Sequence, residues 1–290
     1  MAGGRRYNAQ FCLHGFCAMP IAPMIVLQLA LLGLFAGFWA GLLGVGGGLI
    51  LVPFMTAFAT QSGLEPALAL KVAIATSMAT IVFTSMSSVR AHHRKGAVRW
   101  DLVARLAPGI VLGALLASMG VFSRIRGGWL YFVFAVFVIF SGTRMLLARQ
   151  VAGARQLPGT AGLLGAGGAI GFLSGLVGAG GGFISVPFMT WCSVPIHNAV
   201  ATSAALGFPI AFSNTLGFMV AGQGVEGLPP YSIGYVWLPA LAAVAVCSVL
   251  TAPLGARAAH ALPVKQLKRA FAIMLYALAI YMLRKGFAAM

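Results

Sequence analysis

The chain consists of long apolar stretches separated by short polar loops. Most stretches have the roughly 20 residues that a helix needs to cross the hydrocarbon core of a bilayer. The first and fifth stretches are longer and contain runs of glycine, so we expect each to be two short helices joined at a break. The pattern predicts an all-α, polytopic membrane protein with about eight hydrophobic segments: 25–60, 72–89, 106–123, 127–143, 161–194, 198–221, 232–256 and 264–283.

The two long segments are copies of each other. Residues 37–56 read GFWAGLLGVGGGLILVPFMT, and residues 171–190 read GFLSGLVGAGGGFISVPFMT. The triplet Ala-Thr-Ser follows each copy, at 75–77 and at 201–203. Matched broken helices in the two halves of an apolar chain are typical of the substrate site of a transporter.

The duplication defines the domain organisation. We predict a single transmembrane domain over 25–290, with homologous halves at about 25–148 and 161–285. Neither half could bury its broken backbone alone, so we expect the halves to pack as one unit. Residues 1–24 resemble neither half. We interpret them as an N-terminal extension whose translation is open, since Met24 begins the first apolar segment in the manner of an ordinary start.

Composition and charge support a membrane protein. Hydrophobic residues make up 60% of the chain and charged residues 8%, and the mean hydropathy is +0.97. The net charge of +16 does not indicate nucleic-acid binding, because the basic residues flank apolar segments, where they set orientation and contact anionic headgroups. The only acids are Glu65, Asp101 and Glu226, all at segment ends. A path without fixed negative charge favours an anionic substrate.

Two membrane layouts are compatible with the rule that lysine and arginine collect on the cytoplasmic side. If each glycine-rich segment crosses once, the halves are parallel. If each enters and returns to its starting face, the halves are inverted, and the basic loops around 90–105, 144–155 and 257–269 lie on one face. We favour inversion, which predicts a periplasmic C-terminus.

The glycine runs are the first candidate binding site. A helix that restarts after a break has unpaired N–H groups and partial positive charge, and glycine lets an anion approach them. Pro53 and Pro187, a turn or so further on, keep nearby backbone groups out of the helical ladder. In the alternative interpretation, the glycines only let helices pack closely. The candidates are Gly44, Gly46, Gly47, Gly48, Gly178, Gly180, Gly181 and Gly182.

Duplicated hydroxyl side chains are the second candidate. Thr76 and Ser77 correspond to Thr202 and Ser203, and their hydroxyls could donate hydrogen bonds to sulfonate or carboxylate oxygens. Bonding to their own backbone one turn back is the alternative. Asn214, in the middle of its segment, is a further candidate, with an interhelical hydrogen bond as its alternative.

Other kinds of site are not indicated. The glycine runs lack the Gly-Lys-Ser/Thr ending of a P-loop, no base stands beside a nucleophile, and the histidines and cysteines lack metal-ligand spacing. We therefore expect no enzymatic activity, no catalytic residue, no metal, no cofactor and no nucleic-acid partner. The expected partners are a small anion and the lipid bilayer, and a homo-oligomer is left open. Lys71 could attract anions or extend to the headgroups.

The doubled pattern Gly-x-x-Ser/Ala-Gly-Leu-x-Gly-x-Gly-Gly-Gly-x-Ile-x-Val-Pro, followed by Ala-Thr-Ser, resembles the TauE/SafE family of sulfite exporters and toluene-sulfonate uptake permeases. The resemblance extends over nearly the whole chain from about residue 25. It implies a multi-pass transporter of the bacterial inner membrane for small sulfur anions such as sulfite or organosulfonates. It adds Gly41 and Gly175 to the motif glycines. One departure is Ala40, which stands where the second copy has Ser174.

Alternating access is the expected mechanism, with the anion held between the paired breaks near the midplane. Export of an anion from a negative interior needs no coupled ion, because each charge gains about 2.3 kcal/mol per 100 mV. Two alternatives remain at this point. One is an anion channel, and the other is a non-transporting scaffold or assembly subunit in which the glycines serve packing.

Overall fold

The computed structural model describes residues 23–43, 47–125, 127–147, 156–258 and 264–288. Helices dominate this part of the chain, and a two-residue antiparallel hairpin precedes the ninth helix. A π-helical turn, Leu116–Val121, extends the fourth helix. The elements are α1 (Pro23–Leu43), α2 (Gly48–Gln61), α3 (Pro66–His93), α4 (Trp100–Leu115), α5 (Gly127–Leu147), α6 (Thr160–Val177), α7 (Gly182–Trp191), α8 (Ile196–Ala221), β1 (Ser232–Ile233), β2 (Val236–Trp237), α9 (Leu238–Ala258) and α10 (Val264–Ala288).

The predicted helical, membrane-type fold is confirmed at the level of its class. Within the described residues, six helices are long and apolar enough to cross a membrane. Two shorter apolar helical stretches lie at Gly48–Gln61, which is α2, and at Gly128–Arg144, within α5. The six candidate spans are Met24–Leu42, Pro66–His93, Trp100–Val121, Thr160–Val177, Ile196–Ala221 and Leu238–Ala258.

Both glycine-rich segments are broken, as their sequences predict. α1 ends at Leu43 and α2 begins at Gly48, while α6 ends at Val177 and α7 begins at Gly182. The second helix of each pair is short, with 14 residues in α2 and 10 in α7. At 1.5 Å per residue these helices are about 21 and 15 Å long, less than the roughly 30 Å of a hydrocarbon core.

The chain folds back on itself at each break. A Cβ placed on Gly47 would lie 2.9 Å from the carbonyl oxygen of Ala36, which is about two turns before the end of α1. A Cβ on Gly181 would lie 3.1 Å from Cγ2 of Ile170, at the equivalent position of α6. Each break is therefore a reversal of the chain inside the helix bundle.

Glycine faces bring α1 against α9 and α6 against α4, the two most extensive helix contacts. A Cβ on Gly37 would overlap the carbonyl of Ser248 in α9, and one on Gly171 would overlap the carbonyl of Ile110 in α4. Small residues at a spacing of four let membrane helices approach at backbone distance. The two stripes are Gly33, Gly37 and Gly41 in α1, and Gly167, Gly171 and Gly175 in α6.

Polar contacts identify the two ends of the bundle. At one end, the ammonium of Lys71 in α3 donates to the carbonyl of Ser123, between α4 and α5, at 3.1 Å. At the other end, the side-chain amide of Asn198 in α8 donates to the carbonyl of Ala97 at 2.9 Å. The loop 94–99, which contains three basic residues, lies at this second end.

Candidate functional site

The two breaks contact each other in the core. Gly48, the first residue of α2, packs on the backbone of the second break. A Cβ at Gly48 would overlap the carbonyl oxygen of Gly178 and lie 3.0 Å from the Cα of Ala179. The glycines on both sides of this contact are buried. Only a residue without a side chain permits this approach, so here glycine joins the two halves of the chain at their breaks.

Each short helix starts with an amide that has no acceptor among the described residues. The N-cap residues Gly47 and Gly181 adopt the same left-handed conformation, with φ of 75° and 76° and ψ of −9° in both. Neither cap has a side-chain hydrogen bond. Within the described parts of the chain, the amides of Gly48 and Gly182 donate to no acceptor. Both helix starts therefore present N–H groups and the positive end of a helix dipole inside the core.

The carbonyls at the end of α6 are better satisfied than these amides. Gly178 closes the helix in the left-handed region, and the amides of Gly178 and Ala179 both donate to the carbonyl of Ser174, at 2.9 and 3.3 Å. The carbonyl of Gly178 accepts the hydroxyl of Ser77 at 3.0 Å. The carbonyls of Ser174 and Gly178 are thus occupied, while the amide of Gly182 has no acceptor among the described residues.

Ser77 links the first half of the chain to the break of the second half. Its hydroxyl lies 3.0 Å both from the carbonyl of Gly178 and from that of Ile74 in its own helix. The side chain is fully buried. Ser77 therefore lies at the glycine break, as its sequence position suggested, and its hydroxyl also contacts a carbonyl of its own helix, which was the alternative interpretation.

The paired threonines hold the starts of two other helices. The hydroxyl of Thr76 accepts the backbone N–H of Trp237, just before α9, at 3.0 Å. The hydroxyl of Thr202 accepts the backbone N–H of Arg99, just before α4, also at 3.0 Å. These equivalent contacts explain the duplication in part, since each threonine fixes a helix start in place. A contact of either threonine with substrate stays a prediction.

The predicted polar residues of α8 are fully buried. Ser203 accepts the hydroxyl of Ser185 in α7 at 2.8 Å, which ties the second break to α8. Asn214 donates its side-chain amide to the carbonyl of Ile210 at 2.9 Å, within its own helix. Its Oδ1 faces Gly175 and has no partner among the described residues. Asn214 therefore carries an unused acceptor next to α6.

The remaining predicted residues lie in the two breaks and in the short helices that follow them. Pro53 and Pro187 stand inside α2 and α7, which continue past them. Gly180 is buried, and its carbonyl oxygen lies 3.8 Å from the position of a Cβ on Gly207 in α8. Gly44 and Gly46 lie outside the described residues.

Fixed charges lie away from the breaks. The carboxylate of Asp101 pairs with the guanidinium of Arg99 at 2.7 Å at the exposed end of α4. The other two acids, Glu65 and Glu226, are also exposed. The ammonium of Lys71 bonds to Ser123 at one end of the bundle. Since no acid of the chain is buried, no fixed negative charge opposes an anion at the glycine breaks.

Two features of the site were not chosen as candidates from the sequence. The first is a pair of buried hydroxyls in the second break, Ser174 and Ser185, which correspond to Ala40 and Leu51 in the first. The two aligned copies already contain this difference. The second is the pair of glycine stripes that precede the breaks, whose spacing of four is readable in the sequence.

A bundle of apolar helices enclosing two reversed, glycine-rich breaks defines a polytopic helical membrane protein. The chain belongs to the TauE/SafE family, because the family model described as "Sulfite exporter TauE/SafE" matches residues 29–282. The resemblance drawn from the duplicated motif is confirmed.

Similar proteins in three organisms are named as membrane transporters. A "Probable membrane transporter protein" of Haemophilus influenzae is 36% identical over 262 residues, 90% of this chain and 98% of that protein. MJ0441 of Methanocaldococcus jannaschii is 25% identical over 259 residues, 88% and 94% of the two chains. YunE of Bacillus subtilis is 29% identical over 219 residues, 67% and 78%. No solved structure was found to match. The family and these relatives indicate a multi-pass membrane transporter.

Proposed function

We propose that this protein carries small anions across the bacterial inner membrane and holds them by main-chain amides at its two glycine-rich breaks. The observation that carries the proposal is the buried contact of Gly48 with Gly178, which brings the two breaks together. The amides of Gly48 and Gly182 have no acceptor in the described chain. An unpaired amide in a dry core is costly, and an anion relieves that cost without competition from water.

The charge balance of the breaks suits a singly charged anion. Each restarted helix contributes the equivalent of about half a positive charge at its N-terminus, so two starts supply about one. Two carbonyls of the second break, those of Ser174 and Gly178, are already hydrogen-bonded. A monovalent anion would meet donors from both breaks.

Sulfite and organosulfonates are the substrate class that we favour. Their several oxygens each accept hydrogen bonds, so amides from two helix starts can share one ligand. The name of the family also supports a sulfur oxyanion. Carboxylates offer similar acceptor oxygens, so small carboxylates are the anions with which sulfite and sulfonates are to be compared in binding measurements.

We infer that the chain consists of two inverted halves that rock against each other in alternating access. In this arrangement α1 to α5 correspond to α6 to α10. The helix contacts support it, because α1 packs on α9 in the same way that α6 packs on α4. The chain reverses at each break, so every half contains five helices of alternating direction, and an odd number inverts the second half.

Orientation follows from the basic loops. The end that holds 94–99 is placed in the cytoplasm, and the end that holds Lys71 and Ser123 in the periplasm. The C-terminus then lies in the periplasm. A C-terminal alkaline phosphatase fusion is expected to be active, and a C-terminal green fluorescent protein fusion exported by the same route is expected to be dark. The reverse result would contradict the inverted layout.

The central experiment measures anion binding and flux with the purified protein. In detergent, sulfite or methanesulfonate is expected to raise the melting temperature with a saturable dose dependence, because a ligand of the folded state stabilises it. In proteoliposomes the same anions are expected to move with saturable kinetics. Unsaturable flux would indicate a channel. The absence of both a thermal shift and flux would indicate a scaffold.

A pair of glycine variants separates binding from backbone strain. Gly181→Ala and Gly63→Ala both place alanine at positive φ, 76° and 89°, which costs roughly 1–2 kcal/mol in each. Gly181→Ala is expected to cost more than this, because its Cβ would also overlap Cδ1 of Ile210, the far end of a flexible side chain. Gly63 lies in the loop after α2 with nothing within 4 Å of its Cβ position. Only Gly181→Ala is expected to lose the anion-dependent thermal shift. Equal shifts in the two variants would contradict binding at the breaks.

A further inference from the structure

Ser174 carries a hydroxyl that the described chain leaves unused. The side chain lies in the last turn of α6 and is 0% exposed. Its Oγ has no hydrogen-bond partner among the described residues. Serines in apolar helices ordinarily bond to a carbonyl one turn back, as Ser118 does to Ala114 at 2.8 Å. A buried hydroxyl without a partner costs free energy, and a hydrogen bond to a bound ligand would remove that cost.

The hydroxyl points at the start of α7. Its Oγ lies 3.2 Å from the position that a Cβ on Gly181 would occupy. Gly181 is the N-cap of α7, and the amide of Gly182 follows directly without an acceptor in the described chain. The hydroxyl of Ser174 therefore lies beside the N-cap of α7, next to the positive end of the helix dipole, in a buried position that Ile170 and Ile210 also line.

The equivalent position of the first break lacks this donor. Ala40 stands there, and its Cβ lies 3.3 Å from the position of a Cβ on Gly47. The backbone conformations of the two N-caps agree within one degree in φ and ψ. The breaks thus present the same backbone but a different side chain, a hydroxyl in one and a methyl group in the other.

We propose that the break of the second half binds the oxygens of the anion and that Ser174 donates a hydrogen bond to one of them, as a specificity-determining residue. This inference rests on the proposed transport function. The ligand then has at least two acceptor oxygens, one for the amides of α7 and one for Ser174. At the first break, where Ala40 stands, the ligand meets main-chain amides but no side-chain donor. An oxyanion such as a sulfonate supplies the two acceptor oxygens, and a halide ion does not.

The test compares Ser174→Ala with wild type by thermal shift in detergent, using methanesulfonate and sulfite as probes. Because the hydroxyl has no partner among the described residues, the variant is expected to melt at the same temperature as wild type or slightly higher without anion. Its affinity for methanesulfonate is expected to fall about tenfold or more, the usual effect of removing a donor to a charged acceptor. A purely structural serine would instead lower the melting temperature and leave the anion-dependent shift intact.

Two further variants complete the design. Ser174→Cys has nearly the same shape but a weak donor, so it is expected to lose affinity like the alanine variant and gives the same readout if that variant aggregates. Thr80→Ala is the matched control, since Thr80 is equally buried but donates to the carbonyl of Thr76 in its own helix at 3.0 Å. Its methanesulfonate affinity is expected to stay within about twofold of wild type, a change below the energy of a typical hydrogen bond.

The outcomes separate this inference from the proposed function. If Gly181→Ala loses binding while both Ser174 variants keep wild-type affinity, the breaks still bind the anion and the role of Ser174 is wrong. If wild type itself shows no thermal shift with either probe, both proposals are overturned. Loss of affinity in the Ser174 variants, with Thr80→Ala unchanged, supports both.

Discussion

The two glycine-rich breaks share a backbone and differ in their side chains. At each, the chain reverses, a glycine in the left-handed region caps the next helix, and that glycine packs back on the preceding helix. The second break places buried hydroxyls at Ser174 and Ser185, where the first has Ala40 and Leu51. The reversal needs only glycine, so the side chains around it are free to differ between the halves.

The two breaks meet a steric and a chemical requirement in different ways. Close contact of two backbones is a steric requirement, and it applies to both breaks because they touch each other. Placement of a donor is a chemical requirement, and only the second break, with Ser174 and Ser185, adds hydroxyls at these two aligned positions. The two breaks can therefore share one backbone geometry and still differ in the side-chain donors beside it.

The largest effect is expected from Gly48→Ala. The new Cβ would overlap the carbonyl of Gly178, and two backbones cannot yield as a flexible side chain can. Overpacking of this kind costs about 3 kcal/mol or more. The variant is expected to express poorly or to melt far below wild type. Gly120→Ala, with nothing within 4 Å of its Cβ position, is the control and should melt near wild type. A normally stable Gly48→Ala would mean that the breaks do not touch.

A smaller effect is expected in the glycine stripe of α6. In Gly171→Ala the added methyl group meets the carbonyl of Ile110, so α6 and α4 must separate, at a cost of about 2–3 kcal/mol. Gly165→Ala on the same helix is the matched control, because nothing lies within 4 Å of its Cβ position. Thermal melts of the two variants in the same detergent measure the difference. Equal melting temperatures would contradict close packing of α6 on α4.

The smallest of these effects compares the paired threonines. Thr76→Val removes the acceptor of the N–H of Trp237, a buried residue, and is expected to cost about 1–2 kcal/mol. Thr202→Val removes the acceptor of the N–H of Arg99, an exposed residue, and should cost less because water can replace the hydroxyl. Thermal melts of both variants test the order. A larger loss in Thr202→Val would show that the two helix starts are not buried as described.

Much of the fold could be predicted from the sequence because few structures satisfy an apolar chain. Segment length and hydropathy predict the helices, and the glycines of 44–48 and 178–182 predict the two breaks. The contact of Gly48 with Gly178 could not be predicted, because it depends on how separate helices pack in three dimensions. The same holds for the hydrogen bonds of Thr76 and Thr202, whose partners Trp237 and Arg99 lie far away in the sequence.

The two helix breaks were predicted from the sequence, whereas most hydrogen bonds of the polar residues around them were not. The duplicated Thr-Ser pairs were chosen as candidates because they occur in both copies. The structure gives a structural reason for the threonines, since each accepts a backbone N–H at the start of another helix. Ser174 was visible only as a difference between the copies. Its meaning depends on knowing that the hydroxyl is buried, without a partner in the described chain, and directed at the start of α7.

The contact between α1 and α9 has a consequence for biosynthesis. α1 packs its glycine face on α9, which leaves the ribosome only after most of the chain has been made. Until then, the glycine face of α1 is in contact with lipid or with an insertion factor. α1, the first of the described helices, is thus among the last to find its permanent neighbour, and assembly of the bundle has to wait for its C-terminal part.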